Sequence, residues 1–107
     1  MENRLKHLLN LYREGPEDPF ILYALAKEYE KQNDLKKAEE LFEQLVEAHP
    51  DYVGTYYHYG AVLEKTNQPE KAAKIYTTGL EIAQKLNDHL AYRELFAALS
   101  KFEDSDS

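Results

Sequence analysis

The chain partly matches itself when it is shifted by 34 residues. Residues 19–52 laid on residues 53–86 share seven identities, and many other pairs keep size and chemical character. Self-similarity at this period predicts a repeat architecture, in which each unit buries its apolar face by packing on its neighbours. We therefore treat these two ranges as a first and a second repeat. Matched positions include Tyr23 with Tyr57, Glu30 with Glu64, Asn33 with Asn67, Ala26 with Gly60, and Phe42 with Tyr76.

Each repeat is predicted to form two helices joined by a tight turn. In the first repeat apolar residues recur at i, i+3, i+4 and i+7, which is one face of a helix. Asp18 and Pro19 suit the N-cap and the first position of that helix. Asn33 can end it in the left-handed conformation, and Asp34 can cap the second helix, which Pro50 ends. The predicted inner faces are Leu22, Leu25, Ala26 and Tyr29, then Leu35, Ala38, Leu41, Phe42, Leu45 and Val46; in the second repeat they are Tyr56, Tyr59, Gly60 and Leu63, then Ala72, Ile75, Tyr76, Gly79 and Leu80.

Two flanking helices are expected outside the repeats. Residues 2–13 carry an apolar stripe like that of a second helix, while residues 88–102 match the pattern of a first helix. Gln84 stands where the first repeat has its closing proline, so the helix that contains it should run longer. These elements predict one all-α domain over residues 1–103, with about six helices, and a polar, frayed tail over 104–107. The apolar stripe of the last helix is Tyr92, Leu95, Phe96 and Leu99.

This pattern resembles the tetratricopeptide repeat, a 34-residue helix–turn–helix unit. The resemblance implies an antiparallel helix-pair solenoid, wound as a right-handed superhelix with a concave surface, that acts as a non-catalytic protein–protein interaction module. Three positions depart from the family pattern: Leu45 is larger than the usual small residue, Tyr59 replaces leucine, and Gln84 replaces proline. The resemblance is carried by Leu22, Leu25, Ala26, Tyr29, Ala38, Phe42, Leu45 and Pro50, and by Tyr56, Tyr59, Gly60, Leu63, Ala72, Tyr76 and Gly79.

Two glycines, Gly60 and Gly79, fall inside predicted helices. Glycine in a helix costs about 1 kcal/mol relative to alanine. Both occupy positions where the repeat pattern wants a small side chain, so we expect them to allow a close approach of neighbouring helices.

One stripe of each first helix lies beside the packed face and should line the concave surface, at about 100° per residue. Aromatic rings on this stripe suit a protein interface, although they could instead lean on neighbouring helices and be half-buried. Some family members grip a C-terminal carboxylate there through lysine and asparagine, a set that is missing because Tyr23, Lys27 and Tyr57 occupy the corresponding places. The predicted partner-binding residues are Phe20, Tyr23, Lys27, Glu30, Tyr57, His58, Ala61, Glu64, Leu90 and Arg93.

The remaining side-chain chemistry indicates no enzyme. The chain has no cysteine, which excludes disulfides, thiol catalysis and thiolate metal sites. The histidines and carboxylates show no metal-ligand spacing, and acidic residues such as Glu28 are spaced as on solvated helix faces. His58 is open to two interpretations, a pH-sensitive contact or a solvated histidine beside packed tyrosines. We therefore expect no catalysis, no cofactor and no metal.

A formal net charge of −7 disfavours nucleic acid and anionic membranes as partners. We expect a soluble cytoplasmic protein that binds a protein or peptide, as a monomer or a weak homodimer. Two alternatives remain: a structural homo-oligomer, and an accessory subunit of a larger complex that uses its terminal or convex surfaces.

Overall fold

The computed structural model describes residues 2–106, with side chains over residues 4–102. In that part of the chain there are six α-helices and no strand, so the predicted all-α helical-repeat fold is confirmed. The helices are α1 (Glu2–Glu14), α2 (Pro19–Lys31), α3 (Leu35–Ala48), α4 (Gly54–Lys65), α5 (Pro69–Lys85) and α6 (His89–Asp106).

The helices group into two compact units, a first unit up to Tyr52 and a second unit from Val53. In the first unit α2 packs on both α1 and α3. In the second unit α5 packs on both α4 and α6, and α4 also contacts α6. The predicted single domain over residues 1–103 stays a prediction.

The turn inside each helix pair has an asparagine in the left-handed conformation. Asn33 and Asn67 have φ of 65° and 63°, as the sequence predicts, and Asn87 repeats the geometry with φ 57° between α5 and α6. At the first turn the Asn33 amide donates to the Glu30 carbonyl, and the next amide reaches back to the Tyr29 carbonyl at 2.9 Å. These bonds satisfy carbonyls that a helix end leaves unpaired. The third turn was missed, although Asn87-Asp88 repeats the Asn33-Asp34 dipeptide.

Aspartates cap three of the helices through their side chains. Asp18 accepts from the Phe20 amide at 2.9 Å, and Asp34 accepts from the amide of Lys37 at 3.3 Å, as predicted. Asp88 does the same at the start of α6, where the Ala91 amide donates at 3.0 Å. Helix lengths also follow the prediction, since α5 has 17 residues and α3 has 14. The last helix differs: α6 continues to Asp106, past the predicted end at 102, and Ser107 lies outside the described residues.

The core of the first unit contains one charged side chain whose spacing predicts a solvated face. Leu22, Leu25 and Ala26 are buried as predicted, but Glu28 is also buried, with 4% of its surface exposed. Arg4 of α1 donates to Glu28 Oε1 at 3.1 Å, and Gln32 donates to Oε2 at 3.2 Å. The expectation for Glu28 was therefore wrong, because α1 brings a cation to a position that helical spacing alone marks as polar.

The core of the second unit shows why two glycines stand inside helices. A Cβ on Gly79 would lie 2.5 Å from Tyr56 Cβ and 3.1 Å from Leu95 Cδ1. A Cβ on Gly60 would collide with the ring of Tyr76. The contacts with Tyr56 Cβ and with the Tyr76 ring would be shorter than real Cβ contacts, so the predicted close approach of helices at Gly60 and Gly79 is confirmed.

The last helix packs with most of its predicted stripe inward, but one of its aromatic residues is exposed. Leu95 and Ala98 are buried, whereas Phe96 is 55% exposed and stacks on the half-buried Tyr92, with ring centroids 6.2 Å apart. The assignment of Phe96 to the packed stripe was therefore wrong. Its position corresponds by helical spacing to Ala26 and Gly60, which are fully buried.

Candidate functional site

In the first unit the predicted binding stripe on α2 has one open ring and one packed ring. Phe20, at the start of α2, leaves 65% of its surface in solvent. Tyr23 is half-buried, because its ring packs on the rings of two other residues. The ring centroids of Tyr23 and Tyr52 are 5.5 Å apart, and Phe42 meets the Tyr23 ring edge-on with centroids 6.5 Å apart. Tyr23 thus matches the alternative in which the ring leans on neighbouring elements, while Phe20 offers apolar surface. Lys27 and Glu30, the charged members of the stripe, are half-buried.

In the second unit a cleft of about 370 Å³ opens at the surface where α4 meets α6. We call it the second-unit cleft. Three of the predicted binding residues line it, all of them on α4, and the ring of Tyr76 from α5 reaches it from the core. The face of α6 contributes small and charged side chains. The lining residues are Tyr57, Ala61, Glu64, Tyr76, Glu94, Ala97, Ala98 and Lys101.

A short hydrogen bond holds the carboxylate of Glu64 in this cleft. The Tyr76 hydroxyl donates to Glu64 Oε2 at 2.5 Å, although the tyrosine itself is only 1% exposed. Burial raises the pKa of Tyr76 far above its usual value, and the hydrogen bond and negative charge of Glu64 raise it further. The hydroxyl therefore stays protonated and keeps Glu64 as its acceptor. Lys101 reaches the same carboxylate from α6, with Nζ 3.4 Å from each oxygen.

The mouth of the cleft carries an accessible aromatic ring. Tyr57 is 40% exposed and meets the ring of His58 edge-on, with centroids 5.4 Å apart. His58 is half-buried beside the cleft and is not part of its lining. Alanines on both sides leave room between the helices. The cleft therefore combines an aromatic wall, small apolar side chains and charges of both signs.

Two predicted binding residues on α6 lie away from the cleft. Leu90 and Arg93 are exposed and do not line it. Three lining residues of α6 were not predicted: Glu94, Ala98 and Lys101, which share one face of the helix at i, i+4 and i+7. That spacing was readable, but only the contact of α6 with α4 turns this face into a wall of the cleft. Tyr76 was assigned to the core, which is correct, and its hydroxyl also reaches the site.

A second hollow, of about 310 Å³, lies at the turn between α5 and α6. His89 and Asp88 line it, but Asp88 already caps α6. Among the side chains described, no group of three histidines or carboxylates is placed to hold a metal ion. None of the helices over residues 2–106 combines the length and the apolar character needed to cross a bilayer.

Comparisons with known proteins agree with the helical-repeat fold. The tetratricopeptide repeat family matches residues 29–99, which is more than half of the chain. The crystal structure of a tetratricopeptide repeat domain protein from Salinibacter ruber is 42% identical, with a TM-score of 0.78, over 81% of this chain and 97% of that one. A solution NMR structure of a tetratricopeptide repeat domain protein from Salinibacter ruber is 44% identical, with a TM-score of 0.77, over 80% and 87%. The chain therefore belongs to the tetratricopeptide repeat family.

A more distant structure shows the fold alone. The MamA RS-1 ArsTM double mutant is 18% identical, with a TM-score of 0.56, and the match covers 99% of this chain and 86% of that one. A comparison with curated proteins gave no match. Tetratricopeptide repeat domains are in general protein–protein interaction modules and typically non-catalytic scaffolds.

Proposed function

We propose that this protein binds a peptide segment of a partner protein, without catalysis, and that the second-unit cleft is a principal contact. The observation that carries the proposal is the cleft itself, which α4 lines with Tyr57, Ala61 and Glu64. A partly exposed aromatic ring beside fixed polar groups is the composition of interface hot spots. The cleft is formed by helices of the chain that already pack on each other, so it exists without a partner.

The first unit supplies a separate contact surface in this proposal. Phe20 presents an open ring at the start of α2, with the charged side chains of Lys27 and Glu30 further along the helix. Burial of this exposed ring under a partner is favourable, because it removes apolar surface from water. On α6, Leu90 and Arg93 are exposed and belong to the same proposed set.

A capture experiment tests the proposal. The protein is immobilised and exposed to a lysate of its native cells, beside a variant with Lys27→Glu and Tyr57→Ala. Any partner that binds the proposed surfaces should be retained by the wild type and largely lost by the variant. Hydrogen exchange of the purified complex then locates the binding surface on this protein. Amides of α4 and α6 should exchange more slowly in the complex than in the free protein.

The matched control changes the same chemistry elsewhere. Lys36→Glu and Leu86→Ala reverse one exposed lysine and truncate one exposed apolar side chain outside the proposed set. This variant should retain the partner as the wild type does. A partner that survives Lys27→Glu with Tyr57→Ala, while both variants keep the helical circular dichroism of the wild type, contradicts the proposal.

A second candidate function is self-association through α6. The exposed Phe96 ring, stacked on Tyr92, favours it because large apolar side chains in solvent mark association surfaces. A dimer through this helix should dissociate on dilution, and Phe96→Ser should weaken it. Light scattering across a dilution series decides: a mass that stays at 12.5 kDa excludes it.

A further inference from the structure

The charges of the second-unit cleft are unequal. Its lining has two carboxylates, Glu64 and Glu94, and one ammonium group, Lys101. The whole chain is also acidic, with a net charge of −7. A cationic group is therefore attracted both to the protein and to this place on it.

Glu64 is held in position for such a group. Its Oε2 accepts the Tyr76 hydroxyl at 2.5 Å, and 31% of the side chain remains in solvent. A carboxylate offers about four acceptor positions, so the bond to Tyr76 leaves others for a donor in the cleft. A carboxylate that is already ordered loses little entropy when a cation binds.

Lys101 does not occupy this position strongly. Its Nζ lies 3.4 Å from both Glu64 oxygens, longer than the roughly 2.7–2.9 Å of a strong charged hydrogen bond. The lysine side chain is 62% exposed, and exposed ion pairs of this kind are worth little. An arginine or lysine of a partner can displace it, and Lys101 then competes with the ligand.

The aromatic wall favours the same class of ligand. The Tyr57 ring is 40% exposed at the cleft, and a cation over such a ring is attracted by its negative face. A glutamate or aspartate side chain would meet two carboxylates and gain nothing from the ring. An apolar side chain would leave the charges of the lining unmatched.

From these contacts we infer that the second-unit cleft takes a basic side chain, arginine above all, of the partner peptide. The cation lies against the Tyr57 ring and pairs with the carboxylates of Glu64 and Glu94. Arginine is preferred over lysine because its planar group stacks on rings and bonds two carboxylate oxygens at once. This inference rests on the proposed function and adds the chemistry of the partner.

The test uses short peptides as probes. An acetylated and amidated alanine pentapeptide carries arginine, norleucine or glutamate at its centre, and each is titrated into the isotope-labelled protein at low salt. We expect saturable amide shifts in α4 and in the second half of α6 with the arginine peptide. The norleucine and glutamate peptides should bind at least about five-fold more weakly, since a charge pair and a ring contact are lost.

Two substitutions that should change the affinity for the arginine peptide in opposite directions make the test more specific. Glu94→Gln should weaken the arginine peptide by about two- to five-fold, and Lys101→Gln should strengthen it by a similar factor. Glu81→Gln and Lys74→Gln are the matched controls, because both residues are exposed on α5 and outside the cleft, and neither should change the affinity beyond about 1.5-fold.

Three outcomes overturn the inference: no saturable shift with the arginine peptide, equal binding of the glutamate peptide, or reversed signs for Glu94→Gln and Lys101→Gln. If any of these occurs while partner capture still depends on Lys27 and Tyr57, the proposed function stands and only the preference for a basic side chain fails. If capture is also independent of those residues, both fail.

Discussion

The two helix pairs, α2 with α3 and α4 with α5, are built on one plan but differ at several core positions, two of which bear on the site. The first pair has Ala26 and Phe42, and the second has Gly60 and Tyr76. All four residues are buried. From the first pair to the second pair, one methyl group is lost from the first helix, and one hydroxyl is added to the aromatic ring on the second helix. In the second pair the ring lies against the glycine backbone, in space that a Cβ would fill.

This exchange turns a core position into part of a site. Phe42 only packs, meeting Tyr23 edge-on, and has no hydroxyl to offer Glu30. Tyr76 packs equally deeply, but its hydroxyl reaches Glu64, the residue aligned with Glu30, and orders it at the cleft. A repeat can therefore gain a polar surface feature through two small changes in its core, without altering its helices.

At a second position the polar residue belongs to the first unit and the apolar residue to the second. Glu28 of the first unit aligns with Val62 of the second, and both are buried. The glutamate is buried because α1 packs on α2 and brings Arg4 to it. The same position of the fold thus accepts a charge only where a flanking helix supplies its partner.

The largest expected effects come from filling the space at the two glycines. Gly79→Leu should lower the free energy of unfolding by about 3 kcal/mol, because its Cβ would overlap Tyr56 in a packed core. Gly60→Ala should cost about 2 kcal/mol, even after the helix gains about 1 kcal/mol from alanine. Thermal unfolding followed by circular dichroism measures both.

Gly15→Ala is the control for these variants, because the nearest atom to an added Cβ lies 3.9 Å away and the residue is half-buried in a turn. Its melting temperature should stay close to that of the wild type. Melting curves of Gly79→Leu or Gly60→Ala that coincide with the wild type would show that these helices do not approach so closely.

The next effect tests the buried charge of the first unit. Arg4→Met should lower the free energy of unfolding by about 2 kcal/mol, because Glu28 then lies buried with Gln32 as its remaining donor among the described side chains. The value is below that of fully buried pairs because Arg4 is largely exposed. Chemical denaturation of the purified variants measures the change.

The double variant Arg4→Met with Glu28→Val copies the second unit at this position and provides the comparison. It should be as stable as the wild type or more so, since an apolar pair needs no desolvated charge. A double variant less stable than Arg4→Met alone would mean that the valine does not fit where the glutamate packs.

A smaller effect is expected at the hydroxyl that joins core and cleft. Tyr76→Phe should lower the free energy of unfolding by about 1 kcal/mol, because Glu64 loses the hydroxyl donor but is exposed enough to be hydrated. In the first unit, Phe42→Tyr should be destabilising alone and recover in part when combined with Ala26→Gly, which recreates the pair of the second unit. Strict additivity of these two changes would contradict the equivalence of the two pairs.

The same hydroxyl predicts a pH dependence. Tyr76 keeps its proton in the folded state at pH values where an unfolded tyrosine, with its usual pKa of 10.0, loses it. Above that pH the unfolded state binds fewer protons, so the free energy of unfolding should fall as pH rises. Denaturation at pH 8 and pH 11 should show a smaller fall for Tyr76→Phe than for the wild type, and equal falls would contradict the prediction.

The smallest effects concern the three turns that the units share. Replacing Asn33, Asn67 or Asn87 by alanine should cost about 1 kcal/mol each, because alanine is strained at positive φ. Glycine at the same positions should be tolerated or slightly stabilising. Thermal melts of the alanine and glycine variants compare the three turns, and an alanine variant as stable as its glycine partner would contradict the left-handed geometry there.

The turns and helices could be predicted from the sequence because the interactions that cause them are local. An N-cap such as Asp34 needs only the amide three residues on, and a left-handed asparagine such as Asn33 needs only its neighbouring carbonyls. Asn87 could have been found in the same way. Helical spacing likewise placed Tyr57, Ala61 and Glu64 on one stripe of α4, and they line the same cleft.

The failures have a different cause, which is contact between helices. Glu28 looked solvated because its own helix marks the position as polar, and its partner lies 24 residues away. Phe96 looked packed because its spacing matches the earlier helices, yet α6 buries Leu95 and Ala98 and leaves Phe96 exposed. No pattern within one helix contains either piece of information.

By itself, then, the sequence determined the number of the helices, most of their ends, the handedness of the turns and the positions where only a small residue fits. Tertiary packing alone decided which charged groups lie inside, which aromatic rings stay in water, and that Glu94 and Lys101 face Glu64 across a cleft. The reason is range: capping and helical spacing act within a few residues, whereas burial and pairing depend on which distant segment supplies the other surface.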